Sequence, residues 1–299
     1  MADNVLKIET VHQCNRCLGC ETLHPLGTVI DLSDADLSQY SYIKFDFYTV
    51  FFREHSYVDS VCGRKAYDYS NGTLEFLLPG ESLNWDAESN ACSPKGWILA
   101  FHPDLIKGTS LGEHMKDYTF FSYREGEALH VSAREKQVIV ECFQHIRREI
   151  QHDIDCFSKI LISRNIEVLL DYCRRFYERQ FITRHTENEK VLQQLENLVH
   201  EYIREHRLKT SGVPSEDYCA GQLHLSPAYF VDLLKHETGM STREYVQAKR
   251  VEAARDLVRH SDKTISQIAD VLGFPNVRYF SLVFKKIVGC SPAEYRMPN

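Results

Sequence analysis

The 299-residue sequence predicts an α+β protein with a strand-rich N-terminal domain and an all-α C-terminal domain. Three observations predict this class. Short β-branched and aromatic runs with turn signals occupy residues 24–125, helical periodicity replaces them afterwards, and a helical unit then repeats itself. A chain of this length is expected to hold two domains. The predicted divisions are residues 1–182 for the first domain, 183–190 for a linker and 191–299 for the second domain.

The strand prediction depends on residues 42–52 (YIKFDFYTVFF), which are rich in β-branched and aromatic side chains. Regularly spaced turn signals follow this segment. They are Asn71-Gly72, Pro79-Gly80, Pro94-Lys95-Gly96 and Pro103-Asp104. Short strands with such regular breaks are typical of a β-sandwich or a small barrel.

Two long helices are predicted after the strands. Ser132 and Glu135 form a capping box, and apolar residues follow them at a spacing of four. A second helix is expected from about residue 156 to 181, and its apolar residues cover more than one face. One face can pack on the strands and on the neighbouring helix. The other face would remain uncovered in a single chain, which predicts a homodimer through helices within residues 132–181.

Composition and charge narrow the function. No apolar run is long enough to span a membrane and the N-terminus lacks a signal-peptide pattern, which predicts a cytoplasmic protein. The net charge of −7 is unusual for a DNA-binding protein. However, residues 1–189 carry 20 basic and 29 acidic side chains, whereas residues 190–299 carry 15 and 13. The acidity therefore belongs to the N-terminal part, which ends in the polar segment 183–189 (TRHTENE).

An internal repeat of about fifty residues is the most informative feature of the sequence. Residues 220–245 and 269–295 share eight identical positions after a one-residue slip. In each copy a short helix, a tight turn and a longer helix precede a Gly stop and a Ser-x-x-Glu capping box. Two helices joined by such a turn form a helix-turn-helix unit, whose second helix can enter the major groove of DNA. The repeat therefore predicts two such units, joined by a helix over about residues 242–260.

Capping residues predict where these helices begin and end. Ser226 begins the second helix of the first unit, with Pro227 in its first turn, and Gly239 ends it. In the second unit Gly273 makes the turn and Asn276 begins the corresponding helix. Helix-turn-helix geometry also occurs in plain helical bundles, so the geometry alone does not establish DNA binding.

These residues carry a resemblance to a known family. The segment from Tyr218 to Arg296, with IADVLGF, YF, FKK and G-C-S-P in its second half, resembles the DNA-binding domain of the AraC family of transcription regulators. The resemblance implies sequence-specific binding to double-stranded promoter DNA, with RNA polymerase as a further partner. It also implies a cupin-like barrel and dimerising helices ahead of this domain, and a small-molecule effector, such as a sugar, bound in the N-terminal domain.

The resemblance also implies which residues face DNA. Base contacts are implied for Ser226, Ala228, Tyr229, Val231 and Asp232 in the first unit and for Asn276, Val277, Arg278, Ser281 and Leu282 in the second. Phosphate contacts are implied for Lys235, Lys249, Arg250, Lys285 and Lys286. Relatives often carry Arg or Gln where this chain has Asp232, Val231 and Leu282. Arg278 is therefore the best candidate for a base-specific hydrogen bond, to guanine.

The N-terminal domain offers aromatic and polar side chains for an effector pocket. Stacking faces with a few polar tips suit a sugar or an aromatic ligand. The candidates are Tyr48, Phe51, Tyr67, Trp85, Trp97 and His102, all of residue types that are also common in cores and on surfaces. The sequence has no His-x-His motif with a following Glu and no recognisable nucleophile–base pair, so neither an enzyme nor a cofactor is predicted.

Cys14, Cys17 and Cys20 form a close cluster with His12 and His24 beside it. These residue types ligate zinc, but a zinc site normally takes four ligands from two short pairs, and no second Cys-x-x-Cys follows. Two interpretations stay open: structural thiols, or a metal- or redox-responsive regulator. The remaining cysteines are predicted to be reduced core thiols.

Overall fold

The structure is a computed structural model that describes residues 5–34, 42–54, 63–65, 67–84 and 95–297. The chain divides into two compact units, Met1–Arg184 and His185–Asn299. Strands and helices make up the first unit, and the described part of the second is helical. The predicted α+β class is therefore confirmed. Among the described helices, none is both long and apolar enough to cross a bilayer.

The strands of the N-terminal unit form two sheets. The described strands are β1 (Val5–Ile8), β2 (Gly27–Asp31), β3 (Tyr42–Phe45), β4 (Tyr48–Arg53), β5 (Thr73–Leu77), β6 (Ser82–Asn84), β7 (Gly96–Phe101) and β8 (Leu129–His130). The larger sheet is antiparallel and has the order β2-β7-β4-β5-β8. The smaller sheet has the order β1-β3-β6, with β1 parallel to β3 and β6 antiparallel to it.

Both faces of the larger sheet are buried. Phe52 and Leu99 pack towards the long helices, whereas their neighbours Phe51 and Ile98 pack with residues of the smaller sheet. This alternation follows from the two-residue period of a strand, and it explains why these strands are almost continuously apolar. The described strands therefore form two packed open sheets, and the predicted closed barrel is not observed among them.

The described α-helices of the N-terminal unit come after β7 in the chain, except for the first. They are α1 (Val11–Cys17), α2 (Pro103–Ile106), α3 (Ser110–His114), α4 (Ala133–Gln151) and α5 (Ser158–Thr183). The predicted capping box of Ser132 and Glu135 begins α4. The strand prediction is wrong for residues 103–125, where the chain forms α2, α3 and 3₁₀ turns. These helical segments are too short to show a helical period in the sequence.

The polar segment 183–190, predicted to be a linker, contains the end of α5 and the first turns of the next helix, with Arg184 between them. Its polar residues are partly buried. The guanidinium of Arg184 donates from Nε and Nη2 to the carboxylate of Asp68, at 2.9 and 2.7 Å. Asn188 donates from Nδ2 to Oε1 of Glu237 at 2.7 Å. Some polar side chains of this segment therefore form hydrogen bonds within their own unit, and others are exposed to solvent.

The C-terminal unit consists of helices around one core. They are α6 (His185–Arg204), α7 (Arg207–Thr210), α8 (Glu216–Gln222), α9 (Pro227–Thr238), α10 (Thr242–His260), α11 (Ile265–Val271), α12 (Val277–Val288) and α13 (Pro292–Arg296). The pairs α8–α9 and α11–α12 are the two helix-turn-helix units that the repeat predicts, and α10 connects them. Val199, Phe230, Val246 and Phe280 lie in the shared core.

Candidate nucleic-acid interface

The first helix-turn-helix unit is defined by local caps. Ser215 caps α8 by accepting a hydrogen bond from the N–H of Tyr218. The turn contains His224 in the left-handed region, at φ 58°. Ser226 then caps α9, with its Oγ accepting from the N–H of Tyr229 at 3.2 Å. These caps satisfy helix N–H groups that have no partner within their own helix.

The second unit repeats this arrangement with different residues. Thr264 and Gln267 form the capping box of α11, and Gly273 takes the left-handed position in the turn, at φ 68°. Asn276 caps α12, where its Oδ1 accepts from the N–H of Tyr279 at 2.8 Å. The predicted starts of both second helices are confirmed.

The exposed face of α12 is rich in groups suited to DNA. Arg278, Leu282, Lys285 and Lys286 are exposed, and their spacing places them along one face of the helix. Arg278 forms no ion pair with any residue in the described part of the chain. Leu282 is 62% exposed, although it is a large apolar side chain. Of the other residues implied to read bases here, Asn276 and Val277 are exposed and Ser281 is half-buried.

The corresponding face of α9 is much less polar. Ser226 and Tyr229 are buried, at 2% and 4% exposed, so their main contacts are within the protein. The half-buried residues implied to read bases are Ala228, Val231 and Asp232. Lys235 is exposed near the end of the helix. The exposed faces of α9 and α12, the second helices of the two units, therefore present different chemistry.

Arg250, implied to contact phosphate, lies in the interior instead. It is 6% exposed, and its Nε and Nη2 donate to the carbonyl oxygen of Leu272 at 3.0 and 2.8 Å. Its guanidinium carbon lies 4.0 Å from the ring centroid of Phe274. Burial lowers the pKa of Arg250 from its usual range. Arg250 therefore connects α10 to the turn of the second unit and is not a surface cation.

Lys249, also implied to contact phosphate, is neutralised by two carboxylates. Its Nζ donates to Glu196 and, at 3.1 Å, to Glu252. Burial alone would lower the pKa of Lys249, but these hydrogen bonds raise it above its usual value. Glu196, Glu252 and His200 also form a group with ligand atoms within 4.8 Å of one another. The ammonium group of Lys249 already binds the carboxylates of Glu196 and Glu252. These residues therefore form an ion-pair cluster, which the sequence did not predict.

The described effector candidates of the N-terminal unit lie in different surroundings. Phe51 is fully buried, on the face of the sheet opposite the cluster that contains Trp97. The ring of Tyr48 stacks on Phe101, with the centroids 5.2 Å apart. His102 caps α2 through Nδ1, and Tyr67 is 65% exposed. Trp85 lies outside the described residues.

The cysteine cluster is not assembled as a metal centre. Among the described residues, only Glu196, His200 and Glu252 bring three ligand atoms of His, Cys, Asp or Glu within 4.8 Å of one another, so Cys14, Cys17 and Cys20 do not. Cys14 is fully buried, and burial raises the pKa of its thiol to about 12.

Comparison with known proteins supports the assignment of the second unit. Residues 219–297 match a family model described as a helix-turn-helix domain. The chain is 42% identical over 76 residues to an uncharacterized transcriptional regulatory protein, YesN, of Bacillus subtilis, covering 25% of this chain and 21% of YesN. It is 39% identical over 77 residues to the regulatory protein PocR of Salmonella typhimurium, covering 26% of this chain and 25% of PocR.

Solved structures with a similar domain are also known. One is the crystal structure of a transcriptional regulator of the AraC-type DNA-binding-domain proteins from Chromobacterium violaceum. It is 23% identical, covers 37% of this chain and 93% of its own chain, and has a TM-score of 0.33. The matched region spans only about a fifth to a quarter of the length of YesN and PocR.

Proposed function

We propose that this chain is a sequence-specific DNA-binding transcription regulator of the AraC type, because residues 219–297 match a helix-turn-helix family model. The observation that carries the proposal is the pair of capped helix-turn-helix units, with Arg278 exposed on the second. In this proposal the N-terminal unit binds a small-molecule effector and forms a homodimer. Promoter DNA is the partner of the C-terminal unit, and RNA polymerase is a further partner.

The two recognition helices would divide the contacts with DNA. On α12, Arg278 donates to the acceptors of a guanine, and Leu282 contacts a thymine methyl group. Lys285 and Lys286 contact phosphates, which adds affinity without sequence information. The half-buried face of α9 provides apolar contacts and the carboxylate of Asp232, which can accept a hydrogen bond from the amino group of a cytosine.

The surface of α5 supports dimerisation. Four large apolar side chains on this helix and at its start are exposed: Phe157 by 61%, Ile160 by 45%, Leu161 by 43% and Val168 by 49%. We call them the α5 stripe, because their spacing places them on one side of the helix. A group of large exposed apolar side chains on one helix is typical of a protein interface. A second copy of this chain would bury the stripe against its own.

Effector binding would act on DNA binding through this dimer. An effector with different affinities for two arrangements of the dimer shifts the population between them. If only one arrangement places both C-terminal units on an operator, the effector changes promoter occupancy.

Selection from random duplex DNA tests the proposal directly. The full chain is incubated with a random library, and the bound fraction is sequenced over several rounds. A regulator enriches a defined motif, whereas a protein that only packages DNA, or an enzyme with a helical appendage, enriches none. Absence of a motif overturns the proposed function.

Replacing Arg278 identifies the reading face. Arg278→Ala should weaken binding to the selected motif by about 1–3 kcal/mol and relax the preference at one base pair. Lys286→Ala is the matched control, because loss of a phosphate contact weakens binding to all sequences alike and lowers the salt dependence by about one counterion. Fluorescence anisotropy on the motif and its single-base variants measures both effects. An Arg278→Ala protein with unchanged affinity and selectivity contradicts the proposed contacts.

A further inference from the structure

A cleft of about 240 Å³ opens in the N-terminal unit beside Trp97, the cross-strand partner of Asp31 in its lining. One wall is β2, the edge strand of the larger sheet. The segment after α1 and the last turn of α4 form the other walls. The lining residues that matter here are Glu21, Leu23, Val29, Asp31, Arg147 and Ile150.

The cleft combines a cation with two carboxylates. Arg147 is exposed and forms no ion pair within the described part of the chain; its guanidinium carbon lies 5.8 Å from the ring centroid of Trp97. Asp31 accepts from the N–H of Ser33 at 3.0 Å. Neither Asp31 nor Glu21 forms an ion pair with a residue that the structure describes. Charges of both signs therefore line one cleft without neutralising one another.

The remaining walls and the volume limit what can bind. Leu23, Val29 and Ile150 are aliphatic, and the lining contains no aromatic ring on which a sugar could stack. A water molecule occupies about 30 Å³ in the liquid, so the cleft has the volume of about eight waters. It is smaller than the roughly 300–1,000 Å³ that is usual for sites of drug-sized ligands. A small ligand with both charged and aliphatic parts fits these walls.

We propose that this cleft binds a small aliphatic α-amino acid. The planar guanidinium of Arg147 suits the carboxylate of such a ligand, which can accept two parallel hydrogen bonds from it. The carboxylates of Asp31 and Glu21 suit the ammonium group, and the aliphatic walls suit the side chain. The inference rests on the proposed function, since it gives the class and the place of the effector.

The position of the cleft connects it to the α5 stripe. Arg147 and Ile150 belong to the last turn of α4, which ends at Gln151. The chain then passes through the exposed Ile154 to Phe157, where the stripe begins. A ligand held by Arg147 therefore contacts the helix that leads directly into the proposed dimer surface. This gives the effector a short physical route to the dimer.

Calorimetry with the full chain tests the ligand class. The probes are L-alanine, L-valine, L-leucine and L-isoleucine, with 4-methylpentanoate and 3-methylbutylamine as leucine analogues that lack the ammonium and the carboxylate group. At least one amino acid should bind. If leucine binds, each of its two analogues should bind at least tenfold more weakly. If a different amino acid binds, the same comparison uses the carboxylic acid and the amine that carry its side chain.

Variants of the cleft locate the site. Arg147→Met keeps the aliphatic stem and should weaken amino-acid binding at least tenfold. Arg148→Met is the matched control, because Arg148 is the exposed neighbour on α4 and does not line the cleft; its binding should be unchanged. Asp31→Asn keeps an acceptor for the N–H of Ser33 and tests the ammonium side separately, again with weaker binding expected. Circular dichroism confirms that each variant is folded.

Three results would overturn the inference: no binding of any aliphatic amino acid, equal binding of an analogue, or full binding by Arg147→Met. DNA affinity is measured separately, without amino acid. If the chain selects a DNA motif but binds no amino acid, only this inference is overturned. If it binds the amino acid but selects no motif, only the proposed function is overturned.

Discussion

The guanidinium of Arg250 joins two parts of the C-terminal unit that are far apart in sequence. It donates two hydrogen bonds to the carbonyl oxygen of Leu272 and lies over the ring of Phe274. Leu272 directly precedes the turn at Gly273, so Arg250 fixes the connecting helix α10 to the second helix-turn-helix unit. Without these donors the buried carbonyl would have no hydrogen-bond partner, and the free-energy cost of removing it from water would not be offset.

Replacing Arg250 should therefore affect folding. Arg250→Met keeps much of the aliphatic stem and should lower the free energy of unfolding by about 1–3 kcal/mol, measured by urea denaturation. Lys286→Met, at an exposed position, should stay within about 0.5 kcal/mol of the unchanged protein. An Arg250→Met protein of unchanged stability but reduced DNA affinity would restore the phosphate-binding interpretation.

At the scale of elements, two glycines in the left-handed region meet different surroundings. Gly239, at φ 70°, ends α9, and a Cβ added there would have no atom within 4 Å. Gly273, at φ 68°, lies in the turn between α11 and α12, where an added Cβ would come within 2.5 Å of the carbonyl oxygen of Leu208. The first position therefore needs glycine only for its backbone conformation. The second also needs it for the close approach of the segment that contains α7.

Alanine at these two positions separates the two requirements. Gly239→Ala should lower the free energy of unfolding by about 1–2 kcal/mol, the cost of the left-handed conformation for a residue with a Cβ. Gly273→Ala should cost more, because the turn or α7 must also move. Urea denaturation measures both. Equal losses of stability would show that the close approach at Gly273 is relieved without cost.

Capping residues made the boundaries of the recognition helices predictable, because a cap such as Ser226 or Asn276 acts on a backbone N–H three residues away. Other features depend on distant partners. Arg184 binds Asp68, 116 positions away, so the sequence of the 183–190 segment alone resembles a linker. The burial of Arg250 likewise depends on Leu272, 22 positions away.

The proposed amino-acid cleft could not be predicted from the sequence for the same reason. Glu21, Asp31 and Arg147 come from three separate segments, and no local pattern relates them. The aromatic side chains selected from the sequence, such as Tyr48, Phe51 and Trp97, mostly pack inside the sheets because both faces of the larger sheet are covered.

At the scale of the whole molecule, charge limits how tightly one C-terminal unit can hold DNA. Residues 190–299 have a net charge of only +2, and two of their cations, Lys249 and Arg250, are engaged within the protein. Of the five residues implied to contact phosphate, Lys235, Lys285 and Lys286 remain exposed, so the affinity of a single unit should be modest. Linking two units in a dimer raises the overall affinity without new contacts, because the second unit binds at a high effective concentration.

The α5 stripe should provide that dimer. The double variant Leu161→Glu/Val168→Glu would bury four carboxylates when two copies of the stripe pair, so the molar mass from light scattering should fall from that of a dimer to that of one chain. Operator affinity should fall on the order of 100-fold. Both positions are exposed, so the fold should be retained. Val213→Glu, at a residue 43% exposed in the C-terminal unit, should remain dimeric. A dimer that survives the double variant excludes the α5 stripe as the interface.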